Sequence, residues 1–328
     1  MSDAFASPIE ERLPTPGVEA GRYWRLRFQI FRTLMHQALQ EARLRTILIL
    51  VLTVIFWVGM LFVFLEGFSL MRGVITHDAT RAETVHAIFN VFFLSLMGML
   101  TLSSAIILYS GLFRSRETRF LLTTPTRVSR IVWFKFQETL LFSCWGFFLL
   151  GSPLLVAYGL MDGAPWYYYA AFLPFMIAFA FIPVSLGAII CLATVRFLPR
   201  LRIHALAGIV VVLIVMLAAI SWSIVREVNA ADTMTMEWFQ STLSRLKYSE
   251  QRWFPSWWLS SGLLEAAHPA ESKSQSSWVE STGFLCVLTS NAMLLYLVLG
   301  AVADRWYVAG FSSLAELGST RKKASVGA

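Results

Sequence analysis

Six apolar runs, each about as long as a helix that crosses a bilayer, leave this chain few ways to fold. They lie at approximately 46–68, 86–112, 132–161, 167–195, 205–225 and 281–303. A hydrocarbon core of about 30 Å takes roughly 20 residues of helix, and any other open backbone there leaves N–H and C=O groups without partners. The runs predict an all-α integral membrane protein with six transmembrane helices in one domain over 46–304. Composition points the same way: 57% of residues are hydrophobic and 14% charged, against about 45–50% and about 25% in soluble domains.

The remaining segments are short. Residues 1–21 are polar and proline-bearing, lack the apolar core of a signal peptide, and read as a disordered tail. Residues 22–45 mix Trp24, Phe28, Phe31, Leu34, Met35 and Leu39 with several arginines, the pattern of an amphipathic helix lying in the membrane interface. Residues 226–280 form the one long segment between spans, and 305–328 a polar tail.

Lysine and arginine set the orientation, because basic loops stay cytoplasmic. Of 27 such residues, 20 fall before the first span, in the two even loops or in the tail after the last span. Both termini are therefore predicted inside. This distribution also accounts for the net charge of +7, so nucleic acid is not an expected partner.

The most basic even loop opens "RSRETRFLLTTPTR" at residue 114. Six basic residues from Arg114 to Lys135 would cost roughly 15 kcal/mol at the bilayer centre, at about 2.5 kcal/mol each. The stretch is thus expected at the cytoplasmic surface, as a short helix that Pro125 breaks before the chain re-enters the membrane.

Together, "LYSGLFRSRE", "TRFLLTTP" and "TRVSRIVWFKFQETLL", with "LLGSPLLVAYGL" at 149–160 and "FPSWWLSSGLLEAA" at 254–267, resemble the permease subunits of ABC-2 type exporters, including bacterial putative ABC exporter membrane proteins. The resemblance implies an exporter permease in a bacterial cytoplasmic membrane without identifying its substrate, and the apolar, weakly charged spans favour a hydrophobic or amphipathic cargo over a small ion. Its implied partners are a cytoplasmic ATPase subunit carrying ATP and Mg, a second permease copy or a related permease, and membrane lipids. It implies a coupling helix of Arg114, Arg116, Glu117, Arg119, Phe120, Leu121 and Leu122, docked on that ATPase. Read from the residues alone, the same helix can rest on anionic headgroups.

Two further groups stand out. Asn90, Ser95, Thr101 and Ser104 make the second span the most polar, which suits close helix packing or a pathway or dimer face. Pro255, Trp257 and Trp258 suit an aromatic anchor, or a lid, at the outer interface.

An ATPase of the P-loop kind needs G-x-x-x-x-G-K-[ST], and the sequence contains no Gly-Lys pair. H-E-x-x-H, C-x-x-C and G-x-S-x-G are also missing from the sequence. Neither a metal site nor a catalytic residue is predicted, and the chain is expected not to be an enzyme. The rival reading is a non-transporting membrane scaffold or signalling protein whose basic loop binds another soluble protein.

Overall fold

The computed structural model describes residues 43–75, 77–115, 117–118, 128–197, 252–267 and 274–326, with isolated positions at 32, 208, 211, 215 and 222. Every element among them is helical: α1 (Arg43–Val74), α2 (Asp78–Tyr109), a π-turn (Ser110–Arg114), α3 (Val128–Asp162), α4 (Trp166–Phe197), α5 (Pro255–Ala267) and α6 (Ser274–Val326).

Five of these helices are long and apolar enough to cross a membrane, over Leu44–Gly73, Thr80–Arg114, Arg130–Asp162, Trp166–Phe197 and Val279–Tyr307. They contain the first four predicted runs and the last. The run at 205–225 and the amphipathic stretch at 22–42 lie outside the described residues, apart from the isolated positions. Arg43–Arg45 belong to α1, and 305–326 continues α6 without a break.

Short connections make consecutive helices antiparallel. The hairpin from α3 to α4 shows how. Gly163 adopts φ +66°, and the Ala164 amide donates to the Gly159 carbonyl at 2.9 Å, so the chain leaves the helix through a left-handed residue that costs glycine little. Tyr168 then returns its hydroxyl to the Leu155 carbonyl at 2.9 Å, pinning α4 to α3.

The core is aromatic. Phe93 lies with its ring edge-on to Phe89, Phe147 and Phe179, and Phe68 and Tyr158 extend the cluster toward α1. Such geometry places ring edges over electron-rich faces. Small residues let backbones approach where helices cross: Gly187 of α4 under Thr101 and Ser104 of α2, and Gly262 of α5 under Phe175. The first helix is the outlier. It joins α3 through a hydrogen bond from Trp57 Nε1 to Ser152 Oγ (2.8 Å) and an ion pair of Arg72 with Asp162 (3.5 Å). Before Trp57, nearly every large apolar side chain from Leu44 to Phe56 is exposed, as expected of a helix solvated by lipid.

Candidate functional site

The end of α2 carries the stretch that the sequence singles out. Helical hydrogen bonding widens there: the Ser115 amide donates to Ser110 O at 3.1 Å, five residues back, and Ser115 itself is extended at φ −66°, ψ 137°. Single π-turns of this kind recur at functional positions in helices. Beyond it, Thr118 turns back and its hydroxyl donates to the Gly111 carbonyl at 2.7 Å. A carbonyl at the end of a helix thereby finds a donor that the helix no longer supplies.

Lys135, on the first turns of α3, lies behind this elbow. It is 4% exposed, and its Nζ donates to Glu117 Oε2 at 2.6 Å and to Glu138 Oε2 at 2.8 Å. Its stem runs past Gly111, where an added Cβ would be 3.5 Å from Lys135 Cδ. The two carboxylates are 52% and 40% exposed, so a buried cation faces two half-exposed anions and the triad has a net charge of −1. Pairing is what makes a lysine tolerable at the end of a span.

The same end is tied to the last helix by rings. Phe113 of the π-turn lies between Tyr109 and Tyr307, with centroids 5.7 and 5.6 Å away, and Trp133 of α3 stacks on Tyr296 at 4.1 Å above Gly300. Thus α2, α3 and α6 meet at the elbow.

Of the predicted coupling residues, Arg114 is exposed at the last position of the π-turn and Glu117 reaches Lys135. Arg116, Arg119, Phe120, Leu121 and Leu122 lie outside the described residues. Lys135 and Glu138 were not among the predicted site residues. Their signal was a Lys-x-x-Glu pair (i, i+3) inside the apolar "WFKFQETLL", which places both on one helix face.

The four polar residues of the second span do not form one face. Asn90 is buried and accepts a hydrogen bond from Ser256 Oγ of α5 at 2.7 Å. Ser95 is exposed and donates within its own helix to Phe92 O, while Thr101 and Ser104 back onto Gly187. Pro255, Trp257 and Trp258 open α5, a helix of 13 residues, nine of them buried. It sits between α2, α4 and α6, held also by a 2.8 Å hydrogen bond between His86 Nε2 and Ser261 Oγ and by Ser281 Oγ donating to Gly262 O at 2.8 Å. Trp257 packs edge-on to His86 and Phe284, and Arg252 lies 5.8 Å from its ring.

A family model described as "Putative ATP-binding cassette" matches residues 37–327. The chain belongs to this family. No curated protein and no solved structure matches it. Membership in the cassette family corrects three expectations drawn from the sequence. The matched family is not an ABC-2 permease family, so the resemblance is overturned, and the reading as an exporter's permease subunit goes with it. A cassette that binds ATP is an ATPase, which overturns the expectation that the chain is no enzyme. The physical reason for the misreading is plain. Basic elbows and proline–tryptophan segments follow from membrane insertion and interfacial anchoring in general, so they do not separate one family of membrane proteins from another. A relation to ABC transporters and the membrane-spanning helices remain.

ATP is the ligand that the family description implies. Among the described residues, the elements are helical throughout, and the lysine buried at the elbow is already bonded to two carboxylates. These residues do not fit a triphosphate, which needs a cradle of backbone amides and an available cation.

Proposed function

We propose that this cassette-family chain is a membrane protein related in function to ABC transporters, and that its elbow at 110–118 receives a soluble protein partner. The observation that supports this reading best is the anchoring of the elbow: Glu117 is bonded to a lysine buried in the third helix, while Arg114 beside it is exposed. A surface that only rested on lipid headgroups would need its arginines but no such anchorage. The excess of arginine and lysine in this loop favours the cytoplasmic side for the elbow and for both termini. The proposal extends to a bacterial cytoplasmic membrane, a second copy beside the first, and a sixth span at 205–225.

Photo-crosslinking from a benzoylphenylalanine at position 114, in membranes of cells expressing the full chain, tests the reading. The expected result is an adduct with a soluble protein. Crosslinks to lipid alone would overturn it.

A further inference from the structure

We infer that Lys135 is a positioning residue: a buried clasp that fixes the elbow to the third helix by holding Glu117 and Glu138 at once. The inference rests on the proposed role of the elbow only for its consequence, since the geometry stands without a partner.

Beyond the extended Ser115, two side-chain contacts hold the elbow among the described residues. The Thr118 hydroxyl returns to Gly111 and binds the elbow to the π-turn that it has just left. The Glu117 carboxylate reaches Lys135 and crosses to another helix, 18 residues along the chain. The second contact couples the elbow to α3.

Lys135 is suited to this by its burial. An exposed lysine samples many rotamers, but this one is 4% exposed, and its stem is confined between the π-turn at Gly111 and the Phe134 ring, 5.4 Å from Nζ. The Thr139 hydroxyl donates to the Lys135 carbonyl at 2.8 Å, within the same turns of helix. The half-exposed carboxylates are the adjustable members and the lysine is the fixed point. If Glu117 is drawn away, a buried ammonium keeps one carboxylate where it had two, and that loss pulls the elbow back. The mechanical consequence follows. Force applied at the elbow arrives at the first turns of α3 and is not spent in rotation at Ser115.

Spin-label distance measurements on the full chain in nanodiscs, with Cys144 and Cys286 replaced by serine, test this. Labels at Ser115 and at the exposed Leu141 of α3 report the elbow against the helix. The unmodified clasp should give one narrow distance distribution, and Glu117→Gln and Lys135→Met should each broaden it at least twofold. Lys135→Arg, which can still bridge two carboxylates, should restore the narrow distribution. Glu117→Gln leaves the buried lysine its Glu138 partner, so it remains informative if Lys135→Met fails to fold. An unchanged width in Glu117→Gln at an unchanged melting temperature would overturn the clasp. The measurement uses no partner. A broadened elbow with no protein adduct at position 114 would sink the proposed function and support the clasp, whereas such an adduct with an unchanged width would do the reverse.

Discussion

Gly187 of α4 lies directly beneath Ser104 of α2. A Cβ built on it would fall inside the van der Waals envelope of both Ser104 Oγ and the Thr101 carbonyl oxygen, with the Ala105 amide nitrogen at 3.1 Å. Two of these three obstacles are backbone atoms, so the second helix itself would have to move.

Gly187→Ala is therefore expected to destabilise the bundle by about 3 kcal/mol, at the upper end of the ordinary range for overpacking. Gly98→Ala, on the same α2 but with nothing within 4 Å of the added carbon, should instead stabilise by about 0.5–1 kcal/mol, because alanine loses less backbone freedom in a helix than glycine. Thermal unfolding of both variants in one detergent compares them. Equal melting temperatures would contradict the close crossing.

At the elbow, Lys135→Met should cost more than Glu117→Gln. The first removes a buried cation from between two carboxylates, which then repel one another. The second changes a side chain that is 52% exposed, whose interaction is screened by solvent and is expected to contribute roughly 0.5–1 kcal/mol. Chemical denaturation of the two single variants and the double gives the coupling. Additive effects would mean that the 2.6 Å contact has little energetic content.

The bond from Ser256 to Asn90 is buried at both ends. Asn90→Leu strands the Ser256 hydroxyl and should cost about 1–3 kcal/mol. Ser256→Ala in the Asn90→Leu background should recover part of that loss, because the hydroxyl that Asn90→Leu strands is then gone. Melting temperatures of the three variants decide it, and a double variant worse than Asn90→Leu would argue against the pairing.

Gly163 offers a test of backbone conformation alone, since nothing lies within 4 Å of an added Cβ and its φ is +66°. Gly163→Val should destabilise by about 1–2 kcal/mol through the left-handed conformation, whereas Gly163→Asn should cost distinctly less. Similar losses for the two would place the effect in contacts and not in φ.

How much of this was legible depended on what kind of signal each part left. Long helices were readable because their residues are apolar on every side, and length then separates a span from a core helix. Their ends were less so: α2 begins at Asp78, well before the apolar run at 86, because a helix continues as long as its backbone bonds can be made. The buried α5 was hidden for the opposite reason. Thirteen residues are too few to read as a span, its tryptophans suggested an outer interface, and its packing among three helices through its serines and Gly262 left no mark in composition. Lys135 was counted with the basic loop because charge is visible in sequence and burial is not. The elbow motifs misdirected the choice of family, since their composition answers to the membrane before it answers to ancestry.

The last helix runs unbroken from Ser274 to Val326, 53 residues, and Tyr307 lies 19 residues before its end. At 1.5 Å per residue the portion after Tyr307 extends about 28 Å. Tyr307 is also where Phe113 of the π-turn touches this helix. A tilt of about 10° about that contact would swing the far end of α6 sideways by about 5 Å.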